Sequence, residues 1–81
     1  MKGNIKIVGV NQGTERLKDA DGQGELIHRY HKNYSLKFKN EEFFVELLDF
    51  IVLDEIIEYS AWLGDKDHKF GRIAFQFKPE N

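Results

Sequence analysis

The side chains with the widest chemical reach in this 81-residue chain are three histidines, His28, His31 and His68. Imidazole is the one side chain whose ordinary pKa lies near neutrality, so it serves as general base or metal ligand. His28 and His31 are three apart, a spacing that aligns them on a helix but sends them to opposite faces of a strand. His68 sits between Asp65 and Asp67, where a carboxylate–histidine pair is easily assembled. No serine stands in a nucleophile motif beside any of them, and there is no cysteine.

The other motifs with chemical potential are incomplete. Asp19 to Glu25 is oxygen-rich, but counting from Asp19 the twelfth position is Tyr30, where a calcium loop needs a bidentate glutamate. Gly9-Val10-Asn11-Gln12-Gly13 lacks both the three-glycine fingerprint and a Lys-Ser/Thr pair, so it fails as a nucleotide loop. The acids between Glu41 and Glu58 offer carboxylates for acid–base work, yet nothing singles out two of them. The expectation is a non-enzymatic protein with no catalytic residue, no metal site and no cofactor.

Charge layout is the better clue. Between Leu26 and Asn40 lie Arg29, Lys32, Lys37 and Lys39, two histidines and no acid. From Glu41 to Glu58 the chain carries Glu41, Glu42, Glu46, Asp49, Asp54, Glu55 and Glu58 and no base. The net charge of -2 hides this division. Either block could attract a partner of opposite sign.

The elements that must position these residues follow from size and pattern. Eighty-one residues suffice for one core, so residues 1–81 are read as a single domain. Hydrophobic residues make up 41% and charged residues 32%, a folding composition, with seven Phe, three Tyr and one Trp to fill the core. The absence of cysteine points to a reducing compartment. The N-terminus shows no signal-peptide run, and the longest apolar run, Phe50 to Leu53, is far too short for a membrane span. A soluble, cytoplasmic protein without disulfides or membrane contact is expected.

Alternation of apolar and polar residues predicts strands over 4–10, 25–31, 34–39 and 70–77. The second and third are joined at His31-Lys32-Asn33, with Asn33 suited to the positive φ of a tight turn. Residues 11–24 read as a flexible loop and 79–81 as a short tail after the strand-ending Pro79. Asn40 before Glu41 and Glu42 is a helix-start pattern. On a helical wheel Glu42, Glu46 and Asp49 fall within about 60° of one another, leaving a wide dry face down to Leu53. Beyond Leu53 the wet stripe jumps, so 54–63 is either a strand or a second short helix. The expected fold class is therefore α+β: a small two-layer sandwich, mainly antiparallel sheet, with one helix, or two, packed on it.

A helix dry over more than half its circumference carries more apolar surface than one sheet layer covers. The functional expectation is a protein-interaction or self-association module, a homodimer or a complex with a basic partner, engaging Phe43, Phe44, Glu46, Leu47, Asp49, Ile51, Asp54, Ile57, Glu58 and Trp62. The alternative is single-stranded nucleic-acid binding by the basic hairpin 28–39, using Arg29, Tyr30, Lys32, Lys37 and Lys39 for stacking and phosphate contact.

Overall fold

Period-two alternation governs nearly the whole chain. The computed structural model, in which residues 1–80 are described, contains strands β1 (Lys2–Val10), β2 (Asp21–Tyr30), β3 (Asn33–Phe38), β4 (Glu41–Leu53), β5 (Ile56–Gly64) and β6 (Lys69–Pro79). The remaining regular element is a 3₁₀ turn at Glu15–Leu17. Each strand pairs antiparallel with the next, and β6 returns to β1, closing a six-stranded up-and-down barrel. The expected α+β sandwich is thus wrong: the fold is all-β.

The helix expected from Glu41 to Leu53 is the longest strand, β4. Phe43 and Val45 are buried while Glu42 and Phe44 are exposed, so the segment obeys a period of two. Its wide dry face on the helical wheel came from apolar residues on both faces of a strand. Leu and Glu favour helices in isolation, but ladder partners on either side of β4 override that preference. The helix-start pattern at Asn40 is a hairpin turn: Phe38 pairs with Glu41, and Lys39 (φ 53°) and Asn40 (φ 63°) both take the left-handed conformation that a type I′ turn demands. Of the two readings of 54–63, the strand is realised, as β5, and Asp54 (φ 56°) turns the chain into it.

Smaller boundaries also move. Residues 21–24, assigned to the loop, belong to β2. In the β2–β3 turn His31 takes the positive φ, at 49°, while Asn33 is already in β3. Pro79 is the last residue of β6, opposite Gly3, and Glu80 N–H donates to Lys2 O at 2.9 Å. Asn81, the end of the expected tail, lies outside the described residues.

The core is formed by the inward residues of all six strands, among them Ile5, Ile7, Leu26, Leu36, Phe38, Phe43, Val45, Ala61, Leu63, Ile73, Phe75 and Phe77. The end of the barrel where β1 finishes is stoppered by the β1–β2 connection. Leu17 is buried there, and Arg16 lies over the Phe43 ring at 5.4 Å while its guanidinium grips Glu41 at 2.7 and 2.9 Å. The connection is clasped to β6 by Thr14, whose buried hydroxyl donates to Arg72 O at 2.8 Å, and by Asn11 Oδ1, which accepts from Arg72 N–H at 2.9 Å.

Candidate functional site

At the opposite end the barrel wall is uneven. β3 begins at Asn33, opposite Glu46, and the last bond from its side joins Leu47 N–H to Lys32 O at 2.9 Å. β4 then runs on to Leu53, and among the described residues its 48–53 stretch pairs only with β5. The result is an arm, the distal β4–β5 hairpin, with one edge covered by β6 as far as Ile57 opposite Phe77 and the β4 edge open.

A β-bulge marks the start of the arm. The register shifts between Leu47 and Asp49, leaving Leu48 as the extra residue. Beyond it Phe50 sits opposite Tyr59 and Val52 opposite Ile57, on the face that continues the core. Ile51 sits opposite Glu58 and Leu53 opposite Ile56 on the outer face. The inner face is anchored by Tyr59, whose ring centroid is 5.2 Å from that of Phe75 and 6.4 Å from that of Phe50. Burial pushes the Tyr59 phenol pKa up, and nearby Tyr34 adds to the effect.

Despite this anchoring the arm is uncovered. Phe50 is 61% exposed, Ile51 56% and Val52 62%, with Leu48 and Leu53 also exposed. Burying one such side chain is worth about 1.5–3 kcal/mol, so leaving several in water on one hairpin is a large unspent driving force. The edge is also open for hydrogen bonding. Phe50 N–H donates to Asp49 Oδ1 at 2.8 Å, so it points away from β5, and alternation turns Val52 N–H the same way. Acids frame the apolar run: Asp49 at the bulge, Asp54 and Glu55 in the turn, and Glu58 on β5. Lys78 approaches Glu55 at 3.6 Å and Gln76 donates to Glu58 at 3.0 Å.

The residues expected to bind a partner divide into three groups. Asp49, Ile51, Asp54, Ile57 and Glu58 come together on the arm, with Leu47 half-buried at its root. Phe44, Glu46 and Trp62 lie on the outer barrel wall. There Lys69 pairs with Glu46 at 2.8 Å, and Lys69 and Arg72 cover the Trp62 ring at 5.4 and 5.6 Å. Phe43 points into the core and is unavailable, a correction that follows from the strand's period. Leu48, Phe50, Val52 and Leu53 are also exposed on the arm; they are not among the residues expected singly, although the apolar residues of 43–57 are expected as a group to meet a partner. Their signal was visible in the uninterrupted Phe50-Ile51-Val52-Leu53 run, rich in aromatic and β-branched residues, which suits a strand.

The basic hairpin of the alternative reading is largely engaged internally. Arg29 donates to Ser35 Oγ at 2.8 Å and approaches Glu42 at 3.4 Å. Lys37 stands between Glu25 and Glu42 on the neighbouring strands, and Lys39 donates to Asp21 O at 2.7 Å. Tyr30 remains exposed beside Lys32, and with Phe44 and Arg29 it lines a cleft of about 450 Å³.

The histidines are dispersed. His28 Nε2 donates to His31 O at 3.0 Å and its ring packs at a tilt against Tyr34, while His68 Nδ1 lies 3.3 Å from Asp65 Oδ1 on an exposed turn. The Asp65 carboxyl is held below its usual range by the backbone N–H groups of Asp67 and His68, the same bonds that shape the turn. Among the described residues no helix is long and apolar enough to cross a membrane. The chain matches no family model, no curated protein and no solved structure.

Proposed function

We propose that the protein is a non-enzymatic interaction module whose docking surface is the β4–β5 arm. The observation that carries this reading is the coincidence, on residues 48–53, of an unpaired strand edge with exposed Phe50, Ile51 and Val52. Exposed apolar edges are an aggregation hazard that folded proteins ordinarily shorten, charge or cover. A site for an added strand is the condition under which one is kept, because main-chain hydrogen bonds then supply affinity and alternate side chains supply specificity. The surrounding acids favour an incoming strand that is apolar at the point of contact and keeps its own acids from directly facing them. The cysteine-free sequence supports a cytoplasmic setting.

Affinity capture from native cells with wild-type protein and with Phe50→Ser/Val52→Thr tests the reading. Wild type should retain bound protein, counting its own copies, that the double variant loses while keeping its near-UV CD spectrum. An identical set of bound proteins from both would overturn it.

A further inference from the structure

We infer that the arm's occupant is a second copy of this chain, paired antiparallel through β4 with Ile51 on the two-fold axis. This rests on the docking role proposed for the arm and adds the partner and the register. A two-fold axis normal to the sheet keeps inner face with inner face, so residues opposite one another must share a face. The open edge is short, and three registers satisfy that condition: those centred on Phe50, Ile51 and Val52.

Charge and space choose among them. Centring on Phe50 drives Asp54 of each copy toward residues 46–47, where β4 is already bonded to β3 and the β2–β3 turn. Centring on Val52 sets Asp49 opposite Glu55 at both ends, acid against acid. Centring on Ile51 places Asp49 opposite Leu53 and Asp54 opposite Leu48, so no acid directly faces another. In that register Phe50 packs against Val52 of the other copy twice, an aromatic–β-branched pair of the kind that stabilises sheets. The main chain agrees. Phe50 and Val52 are the residues whose N–H and C=O groups point out of the open edge, so each Phe50–Val52 pair exchanges two hydrogen bonds. Ile51 then meets its own copy in the close, non-hydrogen-bonded position. Asp49 guards this edge: its carboxylate occupies the Phe50 N–H and must swing away before the strands join.

Because the chain contains no cysteine, a single introduced thiol reports the register. In a non-hydrogen-bonded pair the Cα atoms lie about 4.5 Å apart, within the roughly 4.4–6.8 Å that a disulfide spans. Under mild oxidation Ile51→Cys should cross-link to a dimer about 10-fold faster than Leu53→Cys, whose thiols are separated by the length of the paired segment. Sedimentation should show a wild-type dimer at micromolar concentration. Val52→Pro should be monomeric and folded, because it removes an N–H from the open edge and none from the β4–β5 ladder. Ile51→Glu, which sets like charges on the axis, should be monomeric too.

A wild-type monomer throughout that range overturns the inference, as do equal cross-linking at 51 and 53 or a Val52→Pro dimer. If the chain is monomeric but capture of other proteins still depends on Phe50 and Val52, self-pairing fails and the docking arm stands. If arm variants alter neither, both fail.

Discussion

The Asp49 carboxylate accepts the N–H of its neighbour, Phe50, at 2.8 Å, occupying the first main-chain donor on the open edge of β4. The bond replaces one that an incoming strand would make, so it opposes docking without supporting the barrel. Each dimer must release two such bonds, one per copy, so Asp49→Ala should strengthen self-association by about 30-fold, the equivalent of two net hydrogen bonds of about 1 kcal/mol each. Asp49→Asn keeps an acceptor and should change it less. Sedimentation of the two variants beside wild type checks the order.

The arm and the core should respond to truncation by very different amounts. Phe75 is fully buried and stacked against Tyr59, so Phe75→Ala should cost about 3–5 kcal/mol in chemical denaturation. Phe50, although on the same continuous face, is mostly in water, and under monomeric conditions Phe50→Ala should cost under about 1 kcal/mol.

The Arg16–Glu41 pair makes a pH prediction. Arg16 holds the Glu41 carboxyl below its ordinary 4.5. A carboxylate depressed in the folded state contributes stability that is full above that ordinary value and lost as pH falls through the folded one. Both side chains are about half exposed, so the contribution is at most about 1 kcal/mol. Glu41→Gln should be less stable than wild type at pH 7 by that amount, with the gap closing below the ordinary carboxylate range. Urea denaturation at the two pH values measures it.

The clasp on the β1–β2 connection can be opened by one atom exchange. Thr14→Val keeps the shape but removes the hydroxyl that donates to Arg72 O, and leaves that carbonyl and the Asn11 N–H without their partner. The expected loss is about 1–3 kcal/mol. Amide exchange should accelerate first in residues 11–17, before the strands. Uniform acceleration across the chain would mean that the clasp holds the whole barrel.

The sequence by itself determined the strands whose two faces differ. In β3, Leu36 and Phe38 alternate with Ser35 and Lys37, and in β6, Ile73, Phe75 and Phe77 alternate with Arg72, Ala74 and Gln76. Such one-sided segments declare their period locally. It also marked an apolar surplus framed by acids in residues 41–58. β4 was not legible in this way, because apolar residues on both of its faces fit a helix and a strand alike. Its strand state was decided by β3 and β5, whose ladders satisfy its main chain on both sides as far as Leu47. Where the surplus lies was likewise a tertiary matter. β3 starts at Asn33 and β4 runs on to Leu53, so the core takes Phe43 and Val45 and leaves Phe50, Ile51 and Val52 in solvent. That difference in strand length exists only between neighbours in the sheet, and local sequence does not record it.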